Sequence, residues 1–110
     1  MTSILAERDG YCIDSDPARL QPEVIFTYIS QRSYWGQGRS AETMRTAMAN
    51  SLNFGVYAGQ RQVGYARVIT DQILFAYICD VFILESERGR GLGKWLVATL
   101  TAWLDARGIH

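Results

Sequence analysis

Asp80-Val81-Phe82-Ile83-Leu84-Glu85-Ser86-Glu87-Arg88-Gly89-Arg90-Gly91-Leu92-Gly93-Lys94 is the stretch on which the reading of this chain turns. It starts inside an apolar run over 73–84 whose only charge is Asp80, and then crosses a polar segment with glycines at 89, 91 and 93. Beyond the glycines, Leu92, Leu96, Leu100 and Trp103 form a stripe, with Trp95, Thr99 and Leu104 beside it. Spacings of three and four residues share a face only on a helix, so the stretch reads as strand, tight turn and amphipathic helix. Backbone N–H groups at the start of such a helix point outward, the helix dipole is positive there, and glycines let a ligand approach the backbone. The turn therefore suits a phosphate, with Arg88, Arg90 and Lys94 adding positive charge beside it.

Spacing narrows the choice of phosphate ligand. A dinucleotide G-x-G-x-x-G loop would need glycine at Lys94 or at Leu96, counted from Gly89 or from Gly91. A P-loop, G-x-x-x-x-G-K-[ST], would need glycine at Arg88 and a hydroxyl residue at Trp95. Both patterns are disfavoured.

Working outward, Phe54-Gly55-Val56-Tyr57-Ala58, a turn at Gly59-Gln60-Arg61 and the segment 62–69 predict a β-hairpin. Asp71-Gln72 then turns the chain into a third strand over 73–84. Tyr11-Cys12-Ile13-Asp14, bounded by Gly10 and Ser15-Asp16-Pro17, reads as a short strand. Pro22 suits the first position of a helix that places Val24, Ile25, Tyr28 and Ile29 on one face. Ser40 suits the N-cap of a second helix, with Glu42 in its first turn and Met44, Ala47 and Met48 following. The expected order is β-α-α-β-β-β-α, with a loop carrying Tyr34, Trp35 and two glycines between the first two helices.

The 110 residues, 48% hydrophobic and 20% charged, are enough for one domain over 1–110 that buries roughly 60–70% of its unfolded surface. Eleven basic and eleven acidic residues cancel, so neither nucleic acid nor an anionic membrane is an expected partner. The longest apolar run falls short of the roughly 20 residues that a spanning helix needs, and the start lacks a basic signal region. A cytoplasmic location is the expectation. Cys12 and Cys79 lie far apart and His110 is the only histidine, which argues against a disulfide framework, a metal site and a histidine-dependent triad.

Arg88-Gly89-Arg90-Gly91-Leu92-Gly93 fits the pattern R/Q-x-x-G-x-G/A. With an apolar strand before it, an amphipathic helix after it, and two helices and a meander upstream, the chain resembles the GNAT superfamily of N-acetyltransferases. The resemblance implies an α/β fold with a mixed, mostly antiparallel sheet and helices on both faces. It implies acetyl-CoA as co-substrate and no metal. The pyrophosphate would lie on the backbone amides of Arg88, Gly89, Arg90, Gly91, Leu92, Gly93 and Lys94, with the Arg88 side chain a further contact. The pantetheine arm would run along Val81, Phe82 and Ile83, with the Val81 N–H facing the thioester oxygen and Ile83 bonding the pantetheine amides. One preorganised donor to a developing oxyanion is worth roughly 2.7–4 kcal/mol.

The acceptor implied is a small-molecule or peptide amine that attacks directly. For an amine with a pKa of about 10.4, exposing the lone pair at neutral pH costs roughly 4–5 kcal/mol, which calls for a base. Asp80 is the candidate, directly or through water, and its pairing with Arg67 on the neighbouring strand is equally open. Glu85 is a further candidate for a water relay, or a solvated turn residue. Tyr34, Trp35 and Arg39 lie where the family's acceptor pocket is bordered, and pack there or hold substrate. Trp95 and Trp103 belong to the core or an interface. The family's domain continues into a further strand and a helix whose tyrosine protonates the departing thiolate, and the resemblance stops before them. The expectation is a C-terminally truncated fold whose open sheet edge is covered in a homo-oligomer. A non-catalytic acyl-CoA-binding domain is the alternative reading.

Overall fold

The computed structural model of the chain describes residues 3–32 and 38–109. Runs rich in β-branched and aromatic residues form five strands, numbered in chain order: β1 (Ile4–Arg8), β2 (Tyr11–Asp14), β3 (Leu52–Ala58), β4 (Arg61–Thr70) and β5 (Ala76–Ile83). They pair in the order β1-β2-β3-β4-β5, every neighbour antiparallel, so the described strands are not mixed but wholly antiparallel. The strand β1 is an addition to the expected order. Its charged sequence gives little apolar alternation, and it forms because Asp9 (φ 51°) and Gly10 (φ 85°) make a tight two-residue hairpin onto β2.

The segment 73–75 departs from the expected strand. Asp71 Oδ1 accepts hydrogen bonds from the backbone N–H groups of Ile73, Leu74 and Phe75, which curls the chain before it can pair. Ile73, Leu74 and Phe75 are left exposed, as are Ile69 and Tyr77 on the adjoining strands.

Helices cover both faces. The helix α1 (Pro22–Thr27) has proline at its first position and runs into a π-helical turn over 28–32. The helix α2 (Ala41–Ala49) starts at Ser40, whose hydroxyl accepts from the Thr43 N–H at 3.1 Å, as an N-cap should. Ile25, Ile29 and Met44 from these elements pack with Tyr65 and Phe82 on one side of the sheet. On the other side, α3 (Leu92–Ala106) buries Leu92, Leu96, Leu100 and Leu104 against Ile13, Phe54, Val56, Ala66 and Val68. Each such leucine contributes roughly 1.5–3 kcal/mol through burial. The row steps by four throughout, so Leu104 takes the fourth place and Trp103 lies at its flank, edge-on to Phe54 at 5.4 Å. Among the described residues no helix is long and apolar enough to cross a membrane.

Tyr57 is wholly buried and among the described residues its hydroxyl has no hydrogen-bond partner; burial pushes its pKa well above the ordinary phenol value. Removing an unpaired buried hydroxyl relieves a desolvation cost. Tyr57→Phe is therefore expected to stabilise the chain by about 1 kcal/mol in urea unfolding. A loss of that size would show that the hydroxyl is paired.

Candidate active site

Between Arg67↔Cys79 and Tyr65↔Phe82 the ladder between β4 and β5 loses register: Asp80 and Val81 oppose Ala66 alone. This is a β-bulge, and Asp80 occupies it with φ 52°, in the left-handed region where aspartate is tolerated better than most residues. Two favourable contacts offset the strain. Asp80 Oδ2 accepts from Arg67 Nε at 2.8 Å and from Arg39 Nη1 at 3.0 Å, with the carboxylate almost entirely buried. Burial works against the Arg67 charge, but its bond to Asp80 outweighs it and holds the guanidinium pKa above its ordinary value. Of the two readings of Asp80, the pairing with Arg67 is present, and Arg39 joins it.

Past the strand a single 3₁₀ turn over Glu85–Glu87 leads to the glycines. Gly89 (φ 85°) and Gly91 (φ 74°) are both left-handed, and Gly91 stands at the N-cap of α3 without a capping side chain. Glycine is needed at these two positions for the backbone alone. At Gly93 the reason is different. Its backbone is helical, and a Cβ there would lie 3.8 Å from Ile83, an ordinary contact.

Glu87 ties this turn to the sheet, a role the sequence reading did not assign. Its Oε1 accepts from the Tyr11 hydroxyl at 2.6 Å, its Oε2 faces Arg61 at 3.4 Å, and Arg90 Nε stands 3.8 Å away. The Tyr11 bond, with help from Arg61 and Ser86, lowers the Glu87 pKa against the opposing effect of burial. Two further residues went unanticipated. Tyr28 stacks on Phe82 at 4.1 Å and accepts from Arg88 Nη2 at 2.5 Å, while Arg88 Nε donates to the Ile83 carbonyl at 3.2 Å. Arg8, on β1, donates to the Arg90 carbonyl at 3.2 Å and stacks over Trp95. The Asp9-Gly10 dipeptide was the available signal for Arg8, because it predicts the hairpin that carries it.

Most of the expected cofactor residues line one cleft of about 410 Å³: Val81, Phe82, Ile83, Arg88, Gly89, Gly91, Leu92 and Gly93, joined by Tyr28 and Glu87. Arg90 lines a smaller recess with Arg8, Asp9, Tyr11 and Leu92 instead, and Lys94 is exposed on the first turn of α3. Val81 also borders a second cavity of about 420 Å³, with Arg39, Arg67, Ile69, Tyr77, Cys79 and Asp80. Glu85 lies away from it, in an apolar groove with Val24, Tyr28 and Leu84. Tyr34 and Trp35 fall outside the described residues.

The sequence model described as "Acetyltransferase (GNAT) family" matches residues 23–110. A Gibberella zeae protein named as a candidate acetyltransferase is 31% identical over 117 residues, covering 89% of this chain. The chain spans 66% of that relative's length. A candidate acetyltransferase of the GNAT family from Xanthomonas campestris pv. campestris superposes with a TM-score of 0.86 at 34% identity, over 94% of this chain and 72% of the other. A GNAT family acetyltransferase from Elizabethkingia anophelis, solved with acetyl-CoA bound, shares the fold with a TM-score of 0.69 at 12% identity, over 93% of this chain and 62% of the other.

The two kinds of glycine separate by mutation. Gly91→Ala is expected to cost about 1–2 kcal/mol, the penalty of a side chain in the left-handed region. Gly93→Ala is expected to hold or raise stability by about 0.5 kcal/mol, since alanine is the better helix former. Thermal denaturation of both variants checks this, and equal losses would refute it. Glu87, with a folded pKa below its unfolded value of 4.5, contributes stability that is present above that value and lost as pH falls through the folded one. Glu87→Gln should accordingly flatten the acid limb of the stability profile below about pH 4.5; an unchanged limb would remove Glu87 from it.

Proposed function

Since this chain belongs to the acetyltransferase (GNAT) family, we propose that it transfers an acetyl group from acetyl-CoA to an amine by direct attack. The observation that carries the reading is the continuity of the bulge at Val81 with the glycine turn, in one cleft. A bulge interrupts the sheet ladder, and Val81, one of the two residues left without a regular partner here, is the one whose amide would meet the thioester oxygen. The cleft fits an acyl-CoA in its chemistry. Left-handed glycines and the first turn of α3 offer backbone N–H groups to a pyrophosphate, and Arg88 and Lys94 supply charge.

In this reading, Val81 donates its N–H to the thioester oxygen as charge builds on it. Phe82, stacked with Tyr28 and packed against Tyr65, keeps the strand from closing over the cleft. Ile83 bonds the pantetheine amides, while Arg88, pinned by the Ile83 carbonyl, contacts the pyrophosphate. Asp80 acts as a positioning residue: its carboxylate, occupied on one oxygen by two guanidinium groups, holds the bulge open. The outer edge of β5, which no other described strand pairs with, and the exposed apolar residues Ile73, Leu74 and Phe75 form the surface for self-association. Light scattering at micromolar concentration is expected to report a dimer or larger, and a monodisperse monomer would overturn that part.

Calorimetric titration of acetyl-CoA into the chain is expected to give binding in the micromolar range. Gly93→Ala, folded as wild type, should weaken it by about tenfold, a loss of roughly 1.4 kcal/mol. Absence of binding by the folded wild type overturns the proposal. Thiol release across a panel of amines then tests turnover, and binding without turnover would leave an acyl-CoA-binding domain. For Asp80→Asn the expected result is a fall in kcat/KM of roughly 10- to 100-fold with the shape of the pH profile kept. Loss of the profile's basic-group limb would make Asp80 the base instead.

A further inference from the structure

Val81 is shared by two cavities on the two sides of the bulge: the cleft that continues into the glycine turn, and the cavity bordered by Arg39, Arg67, Tyr77, Cys79 and Asp80. If acetyl-CoA occupies the first, as proposed above, an acceptor reaching the thioester beside Val81 has the second to enter from. The chemistry of that second cavity bears on what the acceptor can be. Among the described residues that line it, the formal charges are two guanidinium groups against one carboxylate, an excess of one positive charge. Cys79 adds no anion near neutrality, because burial pushes its thiol pKa up.

Arg67 is the more informative of the two arginines. Its side chain is only 12% exposed, and what remains accessible includes the donor without a protein partner. Nε is taken by Asp80 and one Nη1 proton by Ser51 Oγ at 3.0 Å. Among the described residues the structure gives Nη2 no partner, and a guanidinium carries five N–H donors in a rigid fork. A guanidinium anchored on one side, with unmatched donors accessible beside a cavity, is matched in shape and charge by a carboxylate, which accepts two parallel N–H bonds. A simple amine cation would meet the excess positive charge without any such gain.

We propose that the acceptor is an amino-carboxylate, an amine bearing a carboxylate that the Arg67 fork, with Arg39 beside it, holds next to Val81. Asp80 then has a second task, since its bond to Nε fixes the plane of the fork. The inference rests on the acetyl-transfer reading and is more specific than it.

The test compares amino acids with their carboxamides as acceptors, the amine otherwise unchanged, by thiol release with acetyl-CoA. The carboxamide's amine is the less basic of each pair, so protonation alone would favour it. Wild type is expected to prefer the carboxylate by roughly 10- to 100-fold in kcat/KM, the range of one charge-assisted bonding site. Arg67→Lys, which keeps the charge and loses the fork, should reduce that preference to about threefold or less. Because both acceptors are read on the same variant, any common loss through the bulge, which Arg39 still holds, cancels in that ratio. Equal turnover of the two acceptors, or a preference that survives in Arg67→Lys, overturns the inference and leaves acetyl transfer standing. Should acetyl-CoA bind with no amine turned over, ligand-observed NMR on the same pairs decides: selective binding of the carboxylate supports the inference, and equal or absent binding overturns it. Failure to bind acetyl-CoA removes the functional reading itself.

Discussion

Asp80 holds a backbone conformation that costs a residue with a side chain about 1–2 kcal/mol, and the ion pair to Arg67 and Arg39 keeps it there. Much of the site follows from that constraint. A left-handed residue inside an antiparallel strand forces one residue too many into the ladder, so β5 bends away from β4 at Val81. The bend gives the strand two cavities, one leading to the glycine turn and one to the arginines. Without the buried ion pair the strand would have reason to pair regularly, and both cavities would narrow.

The glycine turn is held from the other side by Glu87. Its carboxylate gathers the Tyr11 hydroxyl, Arg61 and Arg90, which arrive from β2, from β4 and from the turn itself. Arg88 performs the complementary task, bridging the turn to the end of β5 and to Tyr28 below α1. The helix α3 is fastened to the opposite face by its row of four leucines, so the N-terminus that faces the cleft is backed by the larger of the two cores. Rigid supports on three sides let a turn of glycines keep a defined shape.

How much of this was legible in the chain varies by element, and the reason is the range of the interaction. The hairpin after Phe54, the cap at Ser40 and the helix after Gly91 depend on contacts within a few residues, and each was readable. The strand β1 was not, since its stability comes from pairing across the Asp9-Gly10 turn and from Arg8 reaching Arg90, 82 positions away. The curled segment 73–75 was misread because apolar composition outweighed the capping strength of Asp71. For Asp80 the residue type was informative, as a lone charge in an apolar run must find a partner, yet the second partner, Arg39, lies 41 residues distant and carried no local mark.

By itself the sequence determined the order of strand, glycine turn and amphipathic helix. From that order came the expectation of a phosphate at the turn and the resemblance to an acetyltransferase, because periodicity and backbone preference act over a few residues and are written in their order. Tertiary structure alone decided which charges meet. It brought Arg39 and Arg67 onto one oxygen of Asp80, placed Glu87 under the turn, and gave Val81 to two cavities at once. Electrostatic and steric contacts of that kind depend on distance in space, which the folded sheet sets and the spacing along the chain does not reveal.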